Sequence, residues 1–170
     1  FLTRLDRRDT GWRLLLLSKL AAQRPDWCPD YAENWRTREV SEAFLSHRNY
    51  RFSLRANATR KPCKDAAGNL IEKRRRVGIY DETALAEWLE RKGQAHGFTA
   101  DANALRVLRL GKQHFIRPND QKHNKLGTLN AVDFDGVLTV DDREAFLRAF
   151  QEGIGPAKAF GFGMLVLAPC

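Results

Sequence analysis

The sequence predicts an α+β protein built on antiparallel strands. Two apolar runs, residues 1–7 and 12–18, flank turn residues 8–11 at the spacing of a β-hairpin. From Tyr50 onward the predicted order is strand, helix, strand, strand, helix, strand, which is the ferredoxin-like (RRM-like) arrangement. We therefore predict tandem ferredoxin-like domains, with an incomplete first domain in residues 1–47 and a second domain in residues 48–170.

The first elements of the second domain follow from periodicity and turn chemistry. Residues 50–57 alternate apolar with polar or basic side chains, which predicts a half-buried strand. In the next segment, residues 64–80, Gly68 and Asn69 supply a turn and predict a basic β-hairpin. Asp81 is a suitable N-cap for a helix with Leu85, Trp88 and Leu89 on one face, ended by Gly93 or Gly97.

The remaining elements complete the pattern. Residues 105–110 and 126–140 are predicted strands, joined by a polar and basic connection at 116–125. Asp141 and Glu144 have the spacing of a capping box, which begins a helix that ends at Gly153. A last strand is predicted from Ala159 onward.

Composition restricts the function class. The 170 residues carry a net charge of +8, from 29 Lys and Arg against 21 Asp and Glu. This excess favours a polyanionic partner, nucleic acid before a membrane surface, although a basic but indifferent surface is an equal alternative. No apolar run is long enough to span a bilayer, so we expect a cytoplasmic protein. Cys28, Cys63 and Cys170 lack metal-site spacing, and no metal or cofactor is expected.

The segment VDFDGVLTVD, residues 132–141, is similar to the nucleophile motif of haloacid-dehalogenase-type phosphatases. Such an enzyme needs several βα units after its nucleophile, and only about 30 residues follow Thr139. The alternation gives a simpler interpretation, a strand with Asp133 and Asp135 on its solvated face. We therefore favour scaffold over a nucleophilic Asp133.

The glycine-rich segment EGIGPAKAFGFG, residues 152–163, predicts a phosphate-binding loop. Gly153, Gly155, Gly161 and Gly163 allow close approach of an RNA backbone to main-chain N–H groups, and Lys158 can meet a phosphate. Tight packing of a turn against the preceding helix is the alternative explanation. From the residues alone, the two explanations carry about equal weight.

Basic residues follow the first strand of the second domain and its exit. A positive stripe that follows the phosphates of an RNA duplex would account for them, whereas an ordinary solvated surface is the alternative. The predicted RNA-binding side chains are Arg51, Arg55, Arg60, Lys61, Lys64, Lys73, Arg74, Arg75 and Arg76.

Several segments together carry a family resemblance. In order and spacing, WRTREV, YRFSLRANATRK, RVGI, FDGVLTV and GIGPAKAFGFG span residues 35–163 within a match that extends to Pro169. This pattern resembles the CRISPR repeat-processing endoribonucleases, within them the CasE family of type I-E systems. The resemblance implies tandem ferredoxin-like domains, no cofactor, and metal-independent cleavage at the base of the repeat stem-loop. The enzyme would then stay on the mature crRNA beside other Cascade subunits.

The implied chemistry is attack by a ribose 2′-OH on the scissile phosphate, with a histidine moving the proton. Lys158 matches the family's glycine-loop lysine and would stabilise the developing charge. In the family, the catalytic histidine and a neighbouring tyrosine sit near the N-terminus, at the start of the first helix, so the resemblance implies that they lie upstream of Phe1. His47, His96, His114 and His123 match no catalytic position. A chain without the catalytic histidine and tyrosine would bind RNA better than it cuts it. A non-catalytic RNA-binding subunit is the alternative function.

Overall fold

The computed structural model describes residues 1–21, 23–24, 26, 35–63, 68–70, 75–117 and 125–170. The elements are β1 Leu2–Arg8, β2 Gly11–Leu17, α1 Glu42–Leu45, β3 Asn49–Asn57, β4 Thr59–Arg60, β5 Val77–Gly78, α2 Glu82–Ala95, β6 Phe98–Ala100, β7 Arg106–Arg117, β8 Lys125–Val140, α3 Arg143–Glu152, a 3₁₀ turn Lys158–Phe160, and β9 Leu165–Pro169. None of the helices in these ranges is long and apolar enough to cross a membrane.

The main sheet is antiparallel and has the strand order of a ferredoxin-like domain. β3 lies between β9 and β8, and β8 pairs along its far edge first with β7 and then with β6. The chain therefore runs as strand, helix, paired strands, helix and strand, with the last strand returning beside the first. The predicted α+β, ferredoxin-like class is confirmed. The boundary at residues 47 and 48 stays a prediction.

The core lies between one face of this sheet and the two long helices. Alternate residues of β3 and β8, including Leu54 and Phe134, point to the helices and are fully buried. Phe134 stacks on Trp88 of α2 with ring centroids 5.7 Å apart, and Tyr50 stacks on Phe146 of α3 at 5.6 Å. We call the opposite side of the sheet the open face.

The helix boundaries confirm one predicted cap and correct another. The Asp81 side chain accepts the N–H of Ala84 at 2.9 Å, as predicted for the start of α2. At the start of α3, however, Asp142 is the N-cap, and its side chain accepts the N–H of Ala145 at 3.0 Å. The prediction for Asp141 is wrong because its carboxylate accepts the Thr99 hydroxyl at 2.6 Å.

The strand limits also differ from prediction at three places. β6 was missed because three residues are too few to show alternation. β7 continues beyond residue 110, to Arg117. The continuation was missed because a register shift between Arg109 and Gly111 interrupts the alternation of the side chains. β9 begins at Leu165, since residues 158–160 form a 3₁₀ turn instead of the predicted strand. The middle of the predicted 116–125 connection, residues 118–124, lies outside the described residues.

The N-terminal ribbon, β1 with β2, is the predicted hairpin, and it is confirmed by pairing from Leu2 with Leu17 to Arg8 with Gly11. It rests on the open face, where the Arg55 side chain donates to the Leu5 carbonyl oxygen at 2.7 Å. Leu2 is buried against the end of α3, and a Cβ placed on Gly153 would lie 2.9 Å from the Leu2 side chain. The ribbon therefore closes over the glycine-rich segment.

Candidate nucleic-acid interface

The glycine-rich segment is a closed loop held by its own backbone. Ile154 N–H donates to the Gly163 carbonyl oxygen at 2.8 Å, and Gly163 N–H donates to the Arg55 carbonyl oxygen at 2.7 Å. Gly163 has φ +86°, and a Cβ there would lie 2.7 Å from the Ile154 carbonyl oxygen. Gly153, the C-cap of α3, is buried with φ +78°. Packing therefore accounts for Gly153 and Gly163 without an RNA contact.

Gly155 and Gly161 are half-buried in the same loop. Gly155 lies beside the Trp88 ring, and a Cβ placed on Gly161 would lie 3.7 Å from the Thr3 carbonyl oxygen. The RNA contacts predicted for these four glycines stay predictions. The structure shows how the loop is held in place: Ile154 and Phe162, at its two ends, are fully buried in the protein.

Lys158 begins the 3₁₀ turn and is half-buried. The residue before it, Ala157, has φ +70°, the one positive value among non-glycine residues in the described ranges. That conformation costs about 1 kcal/mol or more and persists only where the surroundings impose it. The loop thus holds the backbone at Lys158 in a defined position, as a charge stabiliser requires.

His96, at the C-terminal end of α2, lies within the electrostatic reach of Lys158. Burial lowers the pKa of His96, and the positive charges of Lys92 and Lys158 lower it further. The imidazole is therefore biased towards its neutral form. The sequence did not predict that His96 lies near Lys158, because 62 positions separate the two residues and no periodicity links them.

The other histidines are exposed or lie outside the described residues. His47 is exposed, with its ring 6.0 Å from that of Tyr50. His114, on β7, is exposed and lies 3.2 Å, through Nδ1, from the Thr128 hydroxyl. His123 lies outside the described residues.

The predicted basic hairpin is described at its base. β4 and β5 pair antiparallel, with Thr59 opposite Gly78 and Arg60 opposite Val77. Lys61 directly follows β4, and Arg75 and Arg76 directly precede β5. The side chains of both arginines are exposed. Lys64, Lys73 and Arg74 lie outside the described residues. The RNA contacts predicted for all seven basic residues, Arg60 included, stay predictions.

A second group of cations, on β7, lies beside this base. Lys112 Nζ lies 5.7 Å from the centroid of the Tyr80 ring, and Arg109 donates to the Tyr80 carbonyl oxygen at 3.0 Å. The buried Asn130 side chain, on β8, donates to the Ile79 carbonyl oxygen at 2.7 Å and fixes β5 to the sheet. These contacts join the β4–β5 pair to β7 and β8, so that their basic side chains belong to one surface.

We call it the basic surface, and its described basic side chains are Arg60, Lys61, Arg75, Arg76, Arg109, Lys112 and His114. The three members on β7 were not predicted as RNA-binding residues. The strand was expected to end at residue 110, so the sequence did not indicate which face the side chains of residues 112–115 lie on.

Arg51 and Arg55 lie elsewhere, on the open face. Arg51 is exposed. Arg55 Nε and Nη2 donate to the two carboxylate oxygens of Asp133, each at 2.8 Å. This hydrogen bonding raises the pKa of Arg55. An RNA contact by either arginine stays a prediction, and Arg55 has a structural role that the sequence did not reveal.

Asp133 is buried, so the predicted solvated position is wrong for this residue. Its cross-strand partner Arg55 engages both of its oxygens and the ribbon covers the pair. Within the described ranges, no three His, Cys, Asp or Glu side chains are grouped to hold a metal ion. The burial of Asp133 and its two hydrogen bonds from Arg55 support a structural role for this residue.

Comparison with known proteins identifies the family. The sequence model of the family described as "CRISPR associated protein" matches residues 1–169. The chain belongs to this family. It is 36% identical over 123 residues to the CRISPR system Cascade subunit CasE of Escherichia coli K12, a match that covers 69% of this chain and 57% of the relative. The chain thus spans a little over half of that relative's length.

Two further similarities concern relatives that act on or bind RNA. The CRISPR-associated endoribonuclease Cse3 of Thermus thermophilus is 28% identical over 153 residues, covering 85% of this chain and 69% of that protein. A structure of Cse3 bound to a 19-nucleotide RNA superposes with a TM-score of 0.66 at 27% identity, over 99% of this chain and 79% of Cse3. The fold described above is therefore one on which an RNA complex is known.

Proposed function

We propose that this CRISPR-associated protein binds the stem-loop of CRISPR repeat RNA, cleaves the RNA at the base of the stem, and remains on the crRNA as a cytoplasmic Cascade subunit. The observation that carries the proposal is the likeness to RNA-bound Cse3 over 99% of the chain. The CasE and Cse3 names supply the Cascade and endoribonuclease parts.

The basic surface suits an RNA duplex. A-form RNA has a major groove too deep and narrow for side chains to read its bases, so proteins recognise it mostly by shape and by backbone contacts. Exposed Arg and Lys side chains on two connected ribbons, such as Arg76 and Lys112, meet this requirement as phosphate ligands. The surface therefore supports binding of a hairpin stem without reading each base pair.

Lys158 is the catalytic candidate among the described residues. In the proposed reaction the ribose 2′-OH gives up its proton to a base and its oxygen attacks the adjacent phosphorus, the P–O5′ bond breaks to leave a 2′,3′-cyclic phosphate, and the departing 5′-oxygen takes up a proton. Negative charge grows on the non-bridging phosphate oxygens during this exchange. A lysine held by the rigid glycine-rich loop stabilises that charge. No proton-transfer role is assigned to His47, His96, His114 or His123.

A repeat hairpin with a 5′ radiolabel tests the function directly. With the full-length protein and EDTA present, we expect a single cut at the base of the stem, and no cut when the 2′-OH at that position is replaced by hydrogen. Lys158→Ala should slow cleavage about 100-fold, as removal of one charge-stabilising group does, whereas Arg148→Ala on the exposed face of α3 should not. Inhibition by the chelator would overturn the metal-independent mechanism. Binding without cleavage would favour the alternative, a non-catalytic RNA-binding subunit.

Salt dependence of hairpin binding tests the basic surface. Neutralising Arg74, Arg75 and Arg76 to Gln should raise the dissociation constant and reduce the log–log salt slope by about one for each phosphate that the protein no longer neutralises. Arg148→Gln, with a side chain 63% exposed on α3, removes a charge elsewhere and serves as the matched control. An unchanged slope in the triple variant would remove the hairpin from the interface.

A further inference from the structure

We propose that the cleft between the N-terminal ribbon and the open face of the sheet binds a phosphate group, and that this group belongs to the backbone of an unpaired RNA strand. The RNA part of this inference rests on the proposed function. The cleft has a volume of about 430 Å³. Its walls carry five arginines, namely Arg4, Arg7, Arg8, Arg13 and Arg55.

Two carboxylates face these arginines, and they do not balance them. Asp133 is engaged on both oxygens by Arg55. Asp6 is shared by three guanidinium groups, at 2.9 Å from Arg4, 3.4 Å from Arg13 and 3.5 Å from Arg55. Burial alone would raise the pKa of Asp6, but Arg4, Arg55 and Arg13 hold it below its ordinary value. Asp6 is therefore held in its ionised form, and two carboxylates against five guanidinium groups leave the cleft with an excess of positive charge.

Arg4 shows the imbalance at atomic level. Its side chain is 7% exposed, and its Nε donates to Asp6. Its buried Nη1 has no hydrogen-bond partner among the described residues. A buried cationic donor without an acceptor is costly, more so than a neutral one. An anion in the cleft would relieve this cost by accepting from the Arg4 guanidinium after a small adjustment of the side chain.

The chemistry of the walls selects phosphate. Guanidinium groups match the geometry of phosphate oxygens and bind them through paired N–H donors. Ser53, on the floor of the cleft, adds a hydroxyl donor. The lining residues include no aromatic ring on which a base could stack. Recognition would therefore be of the backbone, not of the base.

Size and position favour a single strand. A cleft of about 430 Å³ admits a phosphate with its neighbouring sugar but not a duplex, which presents two backbones. The basic surface lies on the other side of the sheet, because Lys112 pairs with Asn130, which shares the helix-facing alternation of Val132. The two sites could thus hold a paired and an unpaired part of one RNA.

Arginine side-chain NMR on the complete chain tests the anion site without any mutation. Titration with inorganic phosphate should shift the Nε–Hε signals of Arg4 and Arg13 and leave that of Arg148, on α3, unchanged. If the Arg4 and Arg13 signals do not move, the phosphate site is refuted.

Binding of a fluorescent unpaired oligoribonucleotide tests the source of the phosphate. Arg13→Gln, whose side chain is 48% exposed and therefore replaceable without a core defect, should weaken binding about fivefold and reduce the single-strand salt slope by about 0.7. Arg148→Gln should match the wild type. If phosphate shifts the signals but Arg13→Gln leaves RNA affinity unchanged, the RNA assignment is overturned.

The phosphate titration and the hairpin cleavage assay, both on the wild type, distinguish this inference from the proposed function. Phosphate-induced shifts in a protein that neither binds nor cuts the hairpin would sink the proposed function and leave the anion site supported. Hairpin cleavage without the shifts would do the reverse.

Discussion

The sheet-and-helix unit and the N-terminal ribbon are held in place by different forces. In the unit, aromatic and aliphatic side chains from β3, β8, α2 and α3 form one continuous core, with Leu54 and Phe134 fully buried. In the ribbon, Trp12 and Leu14 are 67% and 65% exposed, and they share one face with the exposed Leu5 and Leu16. The ribbon therefore has little apolar burial of its own.

Polar contacts take the place of a core at the ribbon. Asp6, Arg4 and Arg55 form an ion-pair cluster, and Arg55 links it to Asp133 on the central strand β8. The contrast teaches that the unit's stability should follow apolar volume, while the ribbon's attachment should follow the integrity of charged pairs.

The largest effect is expected from a cavity in the core. Phe134→Ala removes a ring that stacks on Trp88, so it should lower the free energy of unfolding by about 4 kcal/mol. Trp12→Ala, a larger deletion on the exposed face of the ribbon, should change it by about 0.5 kcal/mol or less. Urea denaturation measures both. Similar losses in the two variants would show that the ribbon's apolar face is buried in solution.

A smaller effect is expected from the ion pair that joins the two regions. Asp133→Asn leaves the mostly buried Arg55 without its carboxylate, at a cost of about 3 kcal/mol. The substitution should also increase the amide hydrogen-exchange rates of the ribbon by a larger factor than those of α2. Glu87→Gln breaks an exposed pair with Arg91 and should cost about 0.5 kcal/mol or less. Unchanged exchange in the ribbon would disprove this anchoring.

The smallest effect concerns protonation of His96, in the unit beside the glycine-rich loop. Its pKa is lowered in the folded state, so the unfolded chain binds the proton more readily. The stabilisation from the neutral imidazole is complete above the ordinary pKa near 6.5 and is lost as pH falls through the lowered folded pKa.

Thermal melts of wild type and His96→Gln between pH 8 and pH 5 measure this difference, over a range in which most carboxylates stay ionised. We expect the wild type to lose more stability than the variant over that interval. Parallel profiles would show that His96 is not biased towards its neutral form.

Much of the unit was predictable because its signals are local. Alternation in residues 50–57 placed β3, and Asp81 with three apolar residues placed α2. Short elements and shifted registers escaped, as β6 and the far half of β7 show. At the candidate site, Lys158 and the glycines were predicted from their pattern, and their roles stay predictions, whereas the position of Lys112 on the basic surface required knowing that β7 continues.

The sequence by itself determined the class of fold, the segments that form its long helices and central strands, and the basic character of the chain. These depend on side-chain period, caps and charge, which are read from neighbouring residues. Only the tertiary structure decided that Arg55 is bound to Asp133, that Asp142 instead of Asp141 caps α3, and that an arginine-rich cleft lies under the ribbon. Such choices are made between residues far apart in the chain, where competing partners become distinguishable only after the strands have paired.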